Sequence, residues 1–512
     1  MVKIQIKPAF PLVAFHRTLH PEPAPSGPPT LTFCYHSVRA GARNPALLPH
    51  ITMKIPVVRE MLLAGALGTL ALTAHAQVVE LRATINSAQE NPDTRSAASG
   101  SAIMLYDVGA NTFDLIVSIS GMTNPATASH LHEAAAGTNG SVVTNLGGET
   151  AYVRSGSTLT ATFRNVTHGG DKLKLLQGGA YFNIHSAQFP SGEVRGQLIA
   201  RPVRLIAKMT VAQEQAAFPA VNLSALNDFG GAVMLYDPVA NRLSLRLSVY
   251  NFNNTLNNSH FHEGAPGVSG GVVHNLGNNA NAGPPTIPTA YTTANGHLSG
   301  AFDGTYLGDP IKLLTGGAYL NFHSTTFTGG EVRGQVAAAV EIPSTRFANL
   351  SVRGFVGAGD QVLIQGISVN GTEPIRALIT AKGPSLTAFG VTGALANPRL
   401  GLYDFAGREI ASSDDIGPIA AGSELASIPG VPRNNLESAL IVVLPPGNYT
   451  AMVSSATGTG IALLEVADLR TLTPAGLTVS AQIGATPARA AAGGVALELC
   501  DGLTPGAAAA AR

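Results

Sequence analysis

Hydrophobic and polar residues alternate with a period of two through much of the chain. The stretches FDLIVSI at 113–119 and LSLRLSV at 243–249 place apolar side chains at every second position. This alternation is typical of a β-strand with one buried face. Asn-Gly, Gly-Gly and Pro-Ser-Gly groups separate the strands, and no stretch keeps a helical period. The pattern predicts an all-β protein of antiparallel Greek-key β-sandwich domains.

The pattern contains an internal duplication. MLYD at 104–107 recurs at 234–237, and VVTNLG at 142–147 recurs as VVHNLG at 272–277, both displaced by 130 positions. The later GGAY and GEVRG blocks are displaced by 138 positions, so the second copy is eight residues longer. We expect these extra residues in a loop around NAGPPTIPT. Each unit has the size of a domain, which predicts two tandem domains.

A third strand-rich region follows the duplication. Residues 347–469 again show short strands bounded by turns, and LPPGNYTA at 444–451 resembles the closing strands of small β-sandwich accessory modules in secreted bacterial proteins. We expect a third β-sandwich domain here. Beyond it, residues 470–512 are rich in Ala and Gly and lack a pattern that could bury one face, so we expect a disordered tail.

A secretory leader precedes the first unit. Residues 53–76 combine positive Lys54 and Arg59, an apolar stretch and the small-residue cleavage pattern Ala74-His75-Ala76. This order predicts a signal peptide cleaved near Ala76, and a secreted protein that is extracellular or periplasmic. No later apolar run reaches the ~18 residues of a spanning helix, so we expect no transmembrane anchor in the mature chain. We interpret residues 1–52 as a spurious or disordered extension before a true start at Met53.

The order of motifs in each unit resembles one family. ATINSAQENP, SHLHE, GGAYFNIHS and GEVRGQ follow one another in the first unit, and related motifs follow in the second. In this order they are similar to the CHRD (chordin-type) domain, which also occurs in many exported bacterial proteins. The resemblance covers residues 78–201 and 204–340, and it departs at AQEQAAFPAV, at the front of the second copy. The family's biochemical role in bacteria is largely undefined. Chordin itself binds a growth factor, and transferring that ligand to this chain would be a fold-level analogy only.

Each unit carries a His-x-His pair and a further histidine. Residues i and i+2 share one face of a strand, so three imidazoles converge if the third histidine lies on a neighbouring strand. Three neutral imidazoles can bind zinc or copper. The alternative is a hydrogen-bonded network that closes one end of the sandwich, and the residues leave this choice open. The candidate metal ligands are His130, His132, His185, His260, His262 and His323.

Two further histidines bear on a comparison with copper–zinc superoxide dismutases, whose His-x-His geometry these motifs faintly resemble. Those enzymes need additional ligands, including a bridging histidine and an aspartate. His168 has no histidine counterpart in the second unit, and His274 aligns with Thr144. The dismutase interpretation is therefore disfavoured.

Charged pairs at i and i+2 also recur in both units. Glu193 and Arg195, like Glu331 and Arg333, place opposite charges on one face of a strand. We expect a surface ion pair in each unit, with cross-strand partners.

Composition narrows the function classes. Lys plus Arg and Asp plus Glu balance at 31 each, which gives no electrostatic basis for binding nucleic acid. Cys34 and Cys500 lie near opposite ends, so we expect no structural disulfide. The chain lacks a G-x-S-x-G elbow, a P-loop, an HExxH motif and a Rossmann fingerprint, and we expect no enzyme. The leading prediction is an exported, non-catalytic binding or adhesion protein for an extracellular protein or polymer; the alternative is a copper- or zinc-binding protein.

Overall fold

The computed structural model describes residues 77–217, 219, 222–277, 290–339, 349–419 and 424–469. The expected extension, signal peptide, eight-residue insertion, terminal tail and both cysteines lie outside these residues. The described chain is an all-β protein, as the alternation predicts. None of its helices has the length and apolar character needed to cross a membrane.

The first repeat forms one curled antiparallel sheet. Its strands follow the order β5-β4-β8-β9-β1-β2-β3-β7-β6, and β10 pairs with β1. One short helix, α1 (Lys172–Leu176), precedes β8. The strands are β1 (Val78–Asn86), β2 (Ser99–Asp107), β3 (Thr112–Ser120), β4 (Ala126–Glu133), β5 (Ser141–Asn145), β6 (Val153–Ser155), β7 (Thr158–Thr167), β8 (Ala180–Ser186), β9 (Val194–Gln197) and β10 (Ile199–Ala200).

The second repeat reproduces this sheet, except that the single strand β19 (Val332–Ala338) takes the place of β9 and β10. Its order is β15-β14-β18-β19-β11-β12-β13-β17-β16. Two short helices accompany it, α2 (Val211–Ala217) and α3 (Pro310–Leu314). The strands are β11 (Val203–Thr210), β12 (Phe229–Asp237), β13 (Arg242–Tyr250), β14 (Leu256–Glu263), β15 (Gly271–Asn275), β16 (Ala290–Ala294), β17 (His297–Thr305), β18 (Ala318–Ser324) and β19 (Val332–Ala338).

The divergent front of the second repeat leaves its first hairpin intact. Strands β11 and β12 pair without a break from Val203–Tyr236 to Thr210–Phe229. The difference is confined to the connection between them, where α2 replaces a single 3₁₀ turn after β1.

The same turn chemistry closes the following hairpin in both repeats. Asp107 accepts a hydrogen bond from the backbone N–H of Ala110, and Asn111 adopts a left-handed φ of 59°. Asn241 takes the equivalent position with a φ of 49°. Asparagine tolerates this conformation better than most residues. Tyr106 fixes the turn by donating its hydroxyl to Asn111 Oδ1 at 2.7 Å.

The third domain is a β-sandwich of two four-stranded antiparallel sheets. Their orders are β20-β27-β22-β25 and β21-β26-β23-β24. One short helix, α4 (Glu424–Ser427), precedes β25. The strands are β20 (Asn349–Val356), β21 (Leu363–Val369), β22 (Ile375–Lys382), β23 (Arg399–Tyr403), β24 (Glu409–Ser413), β25 (Ser438–Leu444), β26 (Gly447–Ser454) and β27 (Gly460–Asp468).

The third domain packs on the outer face of the second repeat. Tyr250 donates its hydroxyl to the Val443 carbonyl at 3.0 Å, and the Val443 N–H donates to Ser248 Oγ at 3.0 Å. Gly231 permits the close approach, because a Cβ there would lie 3.1 Å from Pro374 Cβ. The equivalent position in the first repeat is Ser101, which is exposed. The third domain therefore covers this face in the second repeat, whereas the equivalent face of the first repeat is exposed.

Candidate metal centre

Strand pairing brings the three predicted histidines of the first repeat together. Strand β4 pairs with β8, and Ala128 lies opposite His185 while His130 lies opposite Asn183. Cross-strand partners share a face of the sheet, so the rings of His130, His132 and His185 meet on the outer side of β4 and β8. Their ring centroids are 5.5, 5.0 and 6.2 Å apart. One nitrogen from each ring lies within 4.8 Å of the other two.

The second repeat builds the same cluster from equivalent strands. His260 and His262 lie on β14, and His323 lies on its neighbour β18. The ring centroids are 5.3, 4.9 and 5.8 Å apart, and the three nitrogens again lie within 4.8 Å of one another. The first set is called site 1 and the second set site 2.

Backbone carbonyls fix the tautomers of two histidines in each site. In site 1, Nδ1 of His132 lies 3.0 Å from the Gly140 carbonyl, and Nδ1 of His185 lies 3.0 Å from the Pro190 carbonyl. A carbonyl oxygen only accepts, so each Nδ1 carries the proton and each Nε2 presents a lone pair. Metal-binding histidines commonly donate their second ring nitrogen in this way.

The same two contacts occur in site 2. Nδ1 of His262 lies 2.9 Å from the Gly270 carbonyl, and Nδ1 of His323 lies 3.0 Å from the Thr328 carbonyl. The loops that supply these carbonyls therefore orient the rings in both repeats.

Several of the converging nitrogens are buried and make no hydrogen bond. They are Nε2 of His132, Nδ1 of His260, Nε2 of His262 and Nε2 of His323. A buried polar atom without a partner costs about 1–3 kcal/mol. A purely structural network would be expected to satisfy these atoms. Among the described residues, the rings of one site are joined by a hydrogen bond in a single case, between His130 Nδ1 and His185 Nε2 at 3.1 Å. The donor set has the chemistry that a zinc or copper ion requires.

Burial favours the neutral, metal-binding form of five of these six imidazoles. Desolvation lowers the pKa of His130 and His132, with a further lowering by the neighbouring His185 ring. Desolvation lowers the pKa of His260 and His262 to about 4, and it also lowers the pKa of His323. These five rings are therefore neutral imidazoles at neutral pH and need not release a second ring proton to bind a metal.

A stacked tyrosine and arginine support one histidine of each site. The His132 ring stacks on Tyr181 at 4.9 Å, and the Arg195 guanidinium lies 3.8 Å from the Tyr181 ring centre. Arg333 covers Tyr319 in the same way at 3.4 Å. In both sites the tyrosine ring therefore stacks on the second histidine of the His-x-His pair.

The prediction of a surface ion pair in each repeat is wrong. Glu193 and Arg195 are 2% and 1% exposed, and no ion pair joins them in the described chain. Arg195 instead donates to the Thr138 carbonyl, and Glu193 accepts from Ser96 Oγ at 2.8 Å. The loops before β2 and β5 cover this face of the strand, and they turn an apparent surface pair into a buried polar layer. Glu331 and Arg333 are equally buried in the second repeat.

Buried carboxyl groups lie beside this layer, and the sequence analysis did not single them out. Glu90 accepts a hydrogen bond from Asn183 at 2.9 Å, and burial raises the pKa of Glu90 to about 7. Burial likewise raises the pKa of its counterpart Glu214 to about 7. Asp228 adds a second acid beside Glu331, and burial together with that neighbour raises the pKa of Asp228 to about 8. The repeated AQE motif was the available signal for Glu90 and Glu214.

His168 and His274 lie in the cores of the two sheets, outside both sites. Each is 2% exposed, His168 beside Tyr106 and His274 beside Phe302. In the 138-residue register His168 corresponds to Tyr306, which packs against His274. The first repeat therefore has Thr144 and His168 at the two positions that His274 and Tyr306 occupy in the second repeat.

This exchange preserves one hydrogen bond. The Gly169 N–H donates to Thr144 Oγ1 at 3.1 Å, and the corresponding Leu307 N–H donates to His274 Nδ1 at 3.2 Å. His168 and His274 thus fill the same region of the core in the two repeats from different positions, and neither belongs to a set of candidate metal ligands.

Comparison with known proteins places a family on both repeats. The CHRD domain model matches residues 81–198 and 206–336, one match in each repeat, and the two matched segments are called the first and the second CHRD domain. No curated protein matches the chain. Among solved structures, the Faustovirus major capsid protein shares 9% identity over 77% of this chain and 84% of that chain, with a TM-score of 0.13. A score that low supports no structural argument.

Proposed function

We propose, from the premise that this chain carries two CHRD domains, that it is an exported, non-enzymatic binding protein in which each CHRD domain binds one zinc or copper ion. His130, His132 and His185 bind the ion in the first domain. His260, His262 and His323 bind it in the second. CHRD domains are consistent with a non-enzymatic binding module.

One observation carries the metal assignment. In each domain three ring nitrogens lie within 4.8 Å of one another, and backbone carbonyls fix two of the three rings with Nε2 unprotonated. Zinc–nitrogen bonds are about 2.0–2.1 Å long, so the three rings must move inward to bind one ion. Three protein ligands also leave one coordination position for water or another ligand.

The chemistry of the donors narrows the choice of ion. Imidazole suits zinc, copper, iron and nickel, whereas calcium and magnesium require oxygen ligands. Each set contains no carboxylate, so the bound ion keeps its full positive charge. Zinc and copper are the ions to test first.

A second candidate function rests on the free face of the first CHRD domain. Leu105 and Ile116 are 42% and 49% exposed on the outer side of β2 and β3, whereas the third domain covers the same side of the second CHRD domain. This face would bind an extracellular protein or polymer without using the histidines. Substituting Ile116 with aspartate should then abolish adhesion and leave the metal content unchanged.

Metal analysis of protein purified without a histidine tag tests the first function. We expect two equivalents of zinc or copper per chain, and one equivalent after either His132→Ala or His262→Ala. The double substitution T144H/H168Y is the matched control, because it moves a histidine within the core and leaves site 1 intact. If the wild-type protein contains no metal and the two histidine substitutions leave its thermal stability unchanged, the metal assignment is refuted and the adhesion function remains.

Export is tested separately. N-terminal sequencing of the protein recovered outside the cytoplasm should give Gln77 as the first residue. A mature end well before Gln77 would contradict the proposed signal peptide.

A further inference from the structure

The two sites differ in how open they are and in how well their ligands are prepared. This inference rests on the metal binding proposed above. We infer that site 2 retains its ion and that site 1 exchanges its ion with solvent, so that one chain combines a structural and a labile metal site.

The first observation is the cover over the third histidine. His323 is 7% exposed, while its counterpart His185 is only half-buried. Asn258 lies directly across the strands from His323, and Ala128 lies across from His185. Cross-strand partners point to the same side of the sheet, so the larger Asn258 side chain shields site 2 where the methyl group of Ala128 leaves site 1 open.

The second observation is the state of the ligand atoms. In site 1, His185 donates Nδ1–H to Pro190, so its Nε2 has a lone pair and accepts at 3.1 Å from His130 Nδ1. His130 therefore carries its proton on the nitrogen that faces the other ligands. Metal binding through that nitrogen must break this hydrogen bond and move the His130 proton to Nε2.

Site 2 carries no such internal bond among the described residues. Nδ1 of His260 and Nε2 of His323 are both buried and both lack a hydrogen-bond partner. The Nε2 lone pairs of His262 and His323 are already free to bind an ion, and ion binding breaks no hydrogen bond between the rings. A prepared and shielded site releases its ligand more slowly, because affinity differences between related sites reside mostly in the dissociation rate.

The division has a functional consequence. An ion that leaves the open site 1 can pass to an external ligand or partner, and solvent can reach its remaining coordination position. The ion in site 2 is held within the domain that packs against the third domain. Site 1 is therefore the site of exchange and site 2 the site of retention.

Release kinetics test the inference on the full chain. The protein is loaded with zinc and mixed with excess chromogenic chelator. We expect two phases of equal amplitude whose rates differ by at least about tenfold. His262→Ala should leave only the fast phase, and His132→Ala only the slow phase.

Reciprocal substitutions identify the cover. Ala128→Asn should slow the fast phase, and Asn258→Ala should accelerate the slow phase, with thermal melting used to verify that both variants fold. A single release rate, a slow phase that belongs to site 1, or rates unchanged in both reciprocal variants would overturn the inference. A chain that binds no zinc or copper at all would instead refute the metal proposal itself, so the two failures are distinguishable.

Discussion

The carboxyl pair of the second CHRD domain predicts an unusual dependence of stability on pH. Asp228 is 4% exposed beside Glu331, which is fully buried and accepts a hydrogen bond from Asn254 at 3.0 Å. Burial and the neighbouring acid raise the pKa of Asp228 from 3.8 to about 8 in the folded chain. Between these values the folded state holds a proton that the unfolded state has lost. Asp228 therefore lowers the stability of the domain as pH rises from about 4 to about 8.

The substitution Asp228→Asn removes this dependence. An asparagine amide can donate to Glu331 as the protonated acid does, without a proton to lose. One group titrating in this window changes the free energy of unfolding by at most ~1.4 kcal/mol per pH unit. The variant should therefore gain up to about 3 kcal/mol over the wild type between pH 5 and pH 7.

Urea denaturation of both proteins at pH 5, 6 and 7 measures the effect. The transition that contains the second CHRD domain is the one that the substitution should move, since the described residues form three domains and need not unfold in one step. Asp114→Asn is the control, because Asp114 forms an exposed ion pair with Arg164. A difference between variant and wild type that stays constant across this range would refute the reasoning.

Three further predictions follow from the packing and from the sites. Gly231→Val introduces a side chain whose Cβ would lie 3.1 Å from Pro374 Cβ. Calorimetry should show the contact with the third domain weakened by about 1–3 kcal/mol, whereas Ser101→Val at the exposed equivalent position should change the stability little. Thr144→His and His168→Tyr should each destabilise the first domain in urea titrations, and the double substitution should recover at least ~1 kcal/mol, whereas additive effects would contradict the proposed exchange of packing partners. Zinc at about 100 times the dissociation constant of one site should stabilise the domain that carries this site by ~2.7 kcal/mol, and a chelator should reverse the resulting rise in melting temperature; no shift would contradict binding to the folded state.

Much of the fold was readable from the sequence because its signals are local. The alternation at 113–119 and 243–249 gives the strands, and the repeated motifs give the two tandem domains. The His-x-His spacing alone places His130 and His132 on one face of β4. The position of His185 required only that β8 pair with β4.

The remaining features depend on contacts between residues that are distant along the chain. The spacing of Glu193 and Arg195 cannot show that the loops carrying Ser96 and Thr138 cover them. Similarly, His168 and Tyr306 align with each other only when the second repeat is displaced by 138 positions, the displacement that holds after the eight-residue insertion. Burial at these positions is a property of loop packing, which a pattern of period two does not encode.

Anomalous diffraction from crystals of the untagged protein soaked in zinc would locate the bound ions. We expect one peak per CHRD domain, bound to Nδ1 of the first histidine and Nε2 of the other two, at distances of about 2.0–2.1 Å. The ligands should be His130, His132 and His185 in one domain and His260, His262 and His323 in the other. Peaks absent from both clusters, or zinc bound only elsewhere on the chain, would contradict the metal assignment.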